Sequence, residues 1–195
     1  MTKKKILLIA VAVVLVVFLA MSAKVIDVGT EGQYTGVVAF DAKASSGGDW
    51  EKIVAEISGK AVGAETVEIA DFGKGRAVTL RGTVSDYSSK ANGKKNTLTV
   101  VPDGYTGDRT FTVQVGSIYT GTTVRDVQSV KTFGDFTNQT EWSQYAKALN
   151  SQLHENVVVP LAIDANIKGR KINLTGAAAA SGNEVTITPV AIVIE

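Results

Sequence analysis

The stretch RAVTLRGT at residues 76–83 decides the fold, because a similar stretch, RKINLTGA, follows at residues 170–177. Apolar and polar residues alternate in both, which is typical of a strand with one buried face. Each stretch reaches a glycine, Gly82 or Gly176, and then continues through a polar turn into another β run. A strand bent at a glycine is a common device for closing a small Greek-key barrel. The two stretches therefore predict an OB-like β-barrel.

The surrounding sequence predicts a mainly β (α+β) chain, because valine, isoleucine and threonine are dense in it. Asn92-Gly93 is a hairpin turn signal. We predict the further strands at residues 96–101, 109–115, 122–133, 157–163, 171–175 and 185–194. We expect an OB-like domain over residues 61–156, with its barrel at about 60–135, and a smaller C-terminal β unit over residues 157–195. The alternative is one continuous β-sandwich with two packed helices.

Two amphipathic helices are expected beside the strands. The first follows a linker within residues 24–60, with Asp49 as its N-cap and apolar residues at helical spacing to about Ser58. The second helix has the clearer pattern, and Thr137 or Thr140 could cap its start. Its apolar positions are Trp142, Tyr145, Ala146, Leu149 and Leu153.

The N-terminal residues 1–23 predict a signal peptide or a membrane anchor. Lys3, Lys4 and Lys5 precede an apolar run over residues 6–21, and small residues follow it. The run is close to the roughly 17–25 residues of a membrane-spanning helix, and we favour a retained anchor. A basic cluster stays cytoplasmic, so the rest of the chain is expected to face outward. The alternative is a buried N-terminal helix of a cytosolic domain.

The amino-acid composition argues against several classes of function. The 195 residues include no cysteine and one histidine, His154, which removes thiol nucleophiles and makes a Ser-His-Asp triad improbable. We therefore expect no enzymatic activity, no catalytic residue, no metal site and no cofactor. Without the three N-terminal lysines, 17 of the 20 basic residues remain against 19 acidic ones, so no nucleic-acid partner is expected.

Two central motifs carry a family resemblance. They are VGSIYTGTTVRD at residues 115–126 and FGDFTNQTE at residues 133–141, with supporting similarity at residues 40–43, 148–150 and 188–190. Together they resemble a bacterial family of predicted periplasmic lipoproteins, a family of unknown function. The resemblance implies an envelope protein with a small β-rich domain, at the extracytoplasmic face of the inner membrane or secreted. It also implies an association with sugar ABC transporter components. The chain departs from the lipoprotein pattern because it has no cysteine to carry lipid.

The motifs contain the candidate binding residues except Trp142, which directly follows the second motif. Arg125 and Asp126 are adjacent on a predicted strand, so their side chains should point to opposite faces. Arg125 could reach Asp135 across a hairpin as a structural ion pair, or bind an anionic group.

A polar cluster that includes Asp135, Asn138 and Gln139 precedes the second helix. These residues either cap the helix or bind a polar ligand at its N-terminus. Trp142 could offer its ring to a sugar, although its helical spacing favours a place in the core.

Three functional hypotheses follow. The first is a non-enzymatic, envelope-anchored binding or accessory protein, associated with sugar or solute ABC uptake and attached to the membrane through its N-terminal helix. The second is a sensor that binds a sugar or an anion directly. The third is a hydrolase that uses Asp126 and Asp135 as a carboxylate pair.

Overall fold

The computed structural model describes residues 39–195, and the predicted signal or anchor helix over residues 1–23 lies outside them. The helices are α1 (Ala42–Lys60), α2 (Thr123–Val127) and α3 (Gln139–Leu153). The strands are β1 (Val62–Gly63), β2 (Arg76–Lys90), β3 (Lys95–Pro102), β4 (Thr110–Gln114), β5 (Lys171–Ser181) and β6 (Glu184–Ile194). In this part of the chain, no helix is both long and apolar enough to cross a membrane.

Within residues 39–195, five strands close into a barrel in the order β2, β3, β4, β6, β5 and back to β2. All neighbours are antiparallel except β4 and β6, which run parallel. The short strand β1 adds to β2 in parallel. The predicted OB-like barrel is confirmed by this closed, mixed sheet.

The C-terminal strands complete this barrel. Strand β5 pairs with β2 along residues 171–178, and β6 joins β5 to β4. The residues from Asp41 to Glu195 accordingly form one compact unit. The smaller C-terminal β unit is therefore a hairpin of the barrel, and the boundary expected at residue 157 separates parts of one sheet.

The two glycines of the predicted bends, Gly82 and Gly176, lie where neighbouring strands approach each other closely. Gly82 stands between Pro102 of β3 and Ile172 of β5 in the strand register. A Cβ atom at Gly82 would meet the carbonyl oxygen of Val101 and lie 2.8 Å from the Cα atom of Pro102. At Gly176 it would lie 2.5 Å from the carbonyl oxygen of Thr188. Both positions therefore require glycine for packing.

Successive strand residues point to opposite faces of the sheet. The barrel interior is apolar because the apolar residues occupy the inward positions. Leu98, Val113 and Ile187 are fully buried and lie opposite one another on β3, β4 and β6. Their chain neighbours Thr97, Thr112 and Thr186 lie on the outer face and are only partly buried. The alternation thus produces one dry core and one threonine-rich exterior.

Helices α1 and α3 pack against each other, and α1 also contacts β2, β5 and β6. Ile53 and Ile57 of α1 are fully buried, as are Tyr145 and Leu149 of α3. The apolar series predicted for the second helix is thereby confirmed.

The first helix begins earlier than predicted, and Asp49 is not its N-cap. Asp41 caps α1 by accepting a hydrogen bond from the Ala44 amide at 2.9 Å. Asp49 lies inside the helix and accepts a hydrogen bond from the Tyr145 hydroxyl at 3.0 Å. Ser46 is fully buried and its hydroxyl donates to the Lys43 carbonyl oxygen at 3.1 Å, so this serine- and glycine-rich stretch is helical although glycine disfavours a helix.

Two predicted strands are wrong. Residues 122–133 hold the short helix α2 and a loop, and residues 157–163 begin with a π-helical turn at His154–Val158 and a 3-10 turn at Val159–Leu161. Both segments are rich in β-branched residues, but β-propensity acts only where a strand finds a partner. Neither segment pairs with a strand of the sheet in the structure.

A cationic cleft beside helix α3

Helix α2 brings some of the predicted site residues together. A cleft of about 420 Å³ is lined by Arg125, Asp126 and Trp142. We call it the Arg125 cleft. Its remaining lining residues are Lys74, Gln128, Lys131, Thr132 and Phe133. Asp135, Asn138 and Gln139 are not among its lining residues.

Arg125 and Asp126 form an ion pair, contrary to the expectation from a strand. The Nε and Nη2 atoms of Arg125 donate to Asp126 Oδ1 at 2.8 and 2.6 Å. Thr122 joins the pair, since its hydroxyl donates to Asp126 Oδ2 at 2.6 Å and accepts from Arg125 Nη2 at 3.1 Å. In a helix, unlike a strand, adjacent side chains diverge by only about 100°. The guanidinium is therefore fixed by its own neighbours, and the expected reach to Asp135 is wrong.

Arg125 also lies over an aromatic cluster. Its Cζ atom is 4.5 Å from the centre of the Trp142 ring, a cation–π arrangement. Trp142 in turn contacts Phe133, Phe136 and Tyr145, at ring-centre distances of 6.4, 5.0 and 6.1 Å. The expectation that Trp142 belongs to the core is met in part, because its side chain is half-buried in the aromatic cluster and its ring also supports Arg125.

A buried glutamine shapes the loop after α2. The Gln128 side-chain amide donates to the carbonyl oxygens of Arg125 and Lys131, at 3.0 and 2.6 Å. Its oxygen accepts from the Lys131 amide at 2.8 Å. These three bonds close the loop on itself and place Lys131 at the cleft.

The Arg125 cleft carries an excess of positive charge. Lys74, Arg125 and Lys131 face one carboxylate, Asp126, which leaves two positive charges in excess. Such a cleft attracts anionic groups. Lys74 and Lys131 were absent from the sequence-based site, although the sequence Gly73-Lys74-Gly75 signals a tight turn. Both glycines have positive φ, +47° and +144°.

The remaining predicted residues serve local structure. Asp135 Oδ2 accepts from the Thr132 amide at 2.7 Å and from its hydroxyl at 3.0 Å, and these bonds hold the pKa of Asp135 below its ordinary value. Asn138, rather than Thr137 or Thr140, caps α3 by accepting from the Glu141 amide at 3.0 Å. Gln139 is exposed at the first position of α3.

Both central motifs lie in a part of the chain that matches a known family. Residues 11–193 match the model of DUF2291, a family of predicted periplasmic lipoproteins. The chain belongs to this family. The resemblance carried by the two central motifs is thereby confirmed, and the family's description supports a cell-envelope location outside the cytoplasm.

Two other comparisons bear on this DUF2291 chain. A search of the curated proteins gave no match. Among solved structures, the chain is similar to an OB-fold protein from Thermotoga maritima, with 14% identity and a TM-score of 0.55. The alignment covers 80% of this chain and 99% of the other. At this level of identity the likeness shows the fold, and it confirms the OB-like barrel.

The family description and this DUF2291 sequence differ in one respect. The family is described as lipoproteins, whereas this sequence contains no cysteine to carry a thioether-linked lipid. Residues 39–195 also contain no group of three or more histidine, aspartate or glutamate side chains placed to hold a metal ion.

Asn138→Ala should lower the free energy of unfolding of this DUF2291 chain by about 1 kcal/mol, because it removes the cap of α3. Thermal unfolding followed by circular dichroism checks the value. Asn138→Asp is the matched variant, and it should retain the cap and the stability. A loss of the same size in both variants would contradict the capping role.

Glu56 of α1 holds the loop that follows α2, the helix that contains Arg125. Its carboxylate accepts from the Ser129 amide at 2.9 and 3.0 Å and from the Ser129 hydroxyl at 2.7 Å. Lys60 Nζ bonds both Glu56 and the carbonyl oxygen of Val127. Partial burial raises the pKa of Glu56, but the hydrogen bonds from Lys60 and Ser129 outweigh it and lower the pKa below the ordinary 4.5.

Because the pKa of Glu56 is lowered in the folded state, the stability that its hydrogen bonds give depends on pH. This stabilisation is complete above the unfolded-state pKa of about 4.5, and it is lost as the pH falls through the folded-state pKa. Glu56→Gln should cost about 1–2 kcal/mol at pH 7 and leave a shallower loss of stability below pH 4.5. Chemical unfolding at pH 7 and along an acid series measures both. Equal slopes in the two proteins would show that Glu56 does not titrate with folding.

Proposed function

We propose that this chain is a non-enzymatic binding or accessory protein of the cell envelope. In this proposal its N-terminal segment holds it at the extracytoplasmic face of the inner membrane. It works with a sugar or solute ABC uptake system by contacting a protein component of that system. The observation that carries the proposal is the Arg125 cleft, a pre-formed cationic site beside exposed aromatic surface.

The cleft has the features of a protein-binding hot spot. Arginine and tryptophan dominate the energetics of interfaces, especially where they are pre-ordered. Arg125 is held by Asp126 and Trp142 before any partner arrives, so little side-chain entropy is lost on binding. Phe133, at 50% exposure, adds an apolar contact at the edge. We therefore expect a partner that presents an acidic residue next to an apolar one.

The hydrogen bonding supports a binding role over a hydrolytic one. A hydrolase with two carboxylates needs one as general acid and one as base or nucleophile. Asp126 is bound to Arg125 and Thr122, and Asp135 is bound to Thr132 in a helix cap. The bonds from Thr132 hold the pKa of Asp135 below its ordinary value, which does not suit a general acid. Both oxygens of Asp126 are already engaged by Arg125 and Thr122.

Partner capture tests the proposal. Full-length protein is crosslinked in its native membranes, recovered and identified with its partners by mass spectrometry. We expect a permease or a solute-binding protein to be enriched, and Lys74→Glu with Lys131→Glu to reduce its recovery at least tenfold. The matched control reverses Lys90 and Lys95 at the β2–β3 hairpin, and should leave recovery unchanged. Equal recovery in both double variants would overturn the assignment of the cleft.

Direct sensing of a small anion or sugar is the second candidate. The cleft volume, about 420 Å³, lies within the roughly 300–1,000 Å³ of small-molecule sites. In that case a ligand would raise the melting temperature of the full-length protein. A thermal-shift series of sugars and of organic anions separates this role from partner capture, which predicts no such shift.

A further inference from the structure

A second concave surface lies on the outside of the barrel. It shares no lining residue with the Arg125 cleft, although Thr123 of the same helix, α2, lines one end of it. It has a volume of about 450 Å³ and runs across β3, β4, β6 and β5. Its side chains include Thr97, Thr112, Thr123, Glu184 and Thr186. We call it the threonine groove.

The strand register explains why threonines collect there. Thr112 and Thr186 are direct neighbours across β4 and β6. Thr99 of β3 pairs with Thr112 in the same row, although it does not line the groove. Thr97 is opposite Gln114 in the next row. Outward positions two apart on a strand share a face, so the rows form one continuous array of hydroxyl and methyl groups. Ala179 and Ala180 of β5 are small and leave the floor open.

A buried glutamine fixes one wall of the groove. Gln114 is 5% exposed and donates to the Thr120 carbonyl oxygen at 3.2 Å and to the Thr188 hydroxyl at 2.8 Å. Its oxygen accepts from the Thr120 amide at 2.7 Å. The loop that contains Thr120 and Gly121 is thereby held against the sheet. The groove is pre-formed, which lowers the entropy lost on binding.

The chemistry of the lining selects the ligand. Threonine hydroxyls both donate and accept hydrogen bonds, whereas their methyl groups and the alanines offer apolar contact. The Thr112 hydroxyl already donates to Glu184 Oε1 at 3.1 Å, so it offers a ligand its acceptor lone pair. The one charged lining residue is Glu184, an acid, so phosphates and carboxylates are repelled. The lining has neither the cations nor the aromatic rings that bind single-stranded nucleic acids.

We propose that the threonine groove binds a short stretch of an uncharged glycan chain. A neutral sugar has hydroxyl groups around its edge and apolar C–H faces, which matches both kinds of group in the groove. The faces of OB-fold barrels formed by their second and third strands, here β3 and β4, support oligosaccharide binding in general. The proposal stands independently of the Arg125 cleft, because the lining residues of the two sites do not overlap.

The test uses full-length protein with ¹³C-labelled threonine methyl groups, in a detergent without a sugar headgroup. Maltohexaose, cellohexaose and chitohexaose are the neutral probes, and hexagalacturonate is the acidic one. We expect saturable shifts of the Thr97, Thr112 and Thr186 methyl signals with at least one neutral hexamer and none with the acidic hexamer.

Matched variants locate the binding. Thr112→Val and Thr186→Val should each weaken binding about fivefold, the loss of one hydrogen bond, and the double variant should weaken it further. Thr79→Val on β2, outside the groove, should leave the affinity unchanged. The proposal is overturned if no neutral hexamer shifts these signals, if hexagalacturonate binds equally well, or if the double variant binds like the wild type. The double variant Lys74→Glu with Lys131→Glu, which alters the Arg125 cleft, should bind the neutral hexamers with unchanged affinity.

Discussion

Gly82→Ala should lower the free energy of unfolding by about 3 kcal/mol or more, at the upper end of the cost of overpacking. The new Cβ atom would collide with the carbonyl oxygen of Val101 and with the Cα atom of Pro102, 2.8 Å away. Both are backbone atoms of β3, so no side-chain rotation can relieve the contact. Separating β2 from β3 would break the barrel at the point where β2 also pairs with β5.

Gly176→Ala is the companion substitution, and Gly59→Ala is the matched control. Gly176 faces the backbone of β6 at 2.5 and 2.9 Å, so its substitution should destabilise the protein in the same way. Gly59 lies in α1, and no atom would come within 4 Å of a Cβ there. Alanine at that position should stabilise the chain by about 0.5–1 kcal/mol through helix propensity.

Thermal unfolding of the full-length variants in detergent, followed by circular dichroism, compares the three. A loss below about 1 kcal/mol for Gly82→Ala would mean that β3 shifts freely, and that the bend does not close the barrel.

The barrel could be predicted because its signals are local. Alternation along residues 76–83 and 170–177 reports one buried face, and the glycine in each reports a close approach. The Asn92-Gly93 signal is confirmed by the β2–β3 hairpin, where Lys90 pairs with Lys95 and both turn residues have positive φ. Each of these signals can be recognised within a few consecutive residues of the sequence.

The role of the C-terminal hairpin could not be predicted in the same way. Whether β5 and β6 close the first barrel or stand beside it depends on pairing between β2 and β5, and nothing in either strand alone specifies that partner. The same limit applies to residues 122–133. Their β-branched composition favours a strand, but contacts of α2 with α3 and the internal bonds of Gln128 determine the fold there.

The same distinction between local sequence signals and long-range contacts applies to the residues of the candidate site. Arg125 and Asp126 could be found because they belong to the first motif, and Trp142 because it follows the second motif in the apolar series of α3. Their geometry nevertheless depends on helix α2. Asp135 and Asn138 were ambiguous between capping and ligand binding, and both form caps. Lys74 reaches the cleft from a turn before β2, a long-range placement that sequence spacing does not contain.

Trp142→Ala should lower both stability and partner capture. Trp142 is half-buried and packs against Phe133, Phe136 and Tyr145. Removing it should therefore cost about 2–3 kcal/mol, somewhat less than the truncation of a fully buried tryptophan. Arg125 would also lose the ring 4.5 Å from its guanidinium carbon, so its position would no longer be fixed on that side.

Trp142→Phe and Arg125→Lys separate packing from recognition. Phenylalanine keeps an aromatic face under Arg125 and should retain most of the stability, with capture reduced by less than tenfold. Lysine keeps the charge but loses the planar fork that bonds Asp126 through two nitrogen atoms, so capture should fall although folding is kept.

Each variant is compared at equal folded fraction, measured by circular dichroism, and capture is quantified by mass spectrometry. If Arg125→Lys captured the partner as well as the wild type, positive charge alone would suffice, and long-range attraction by Lys74 and Lys131 would replace the stacked arginine as the basis of recognition. If capture fell only in proportion to folded protein in Trp142→Ala, the aromatic cluster would be a packing element and the partner would bind elsewhere. A loss of capture in Arg125→Lys with retention in Trp142→Phe is the one pattern that requires an arginine held in place on an aromatic ring.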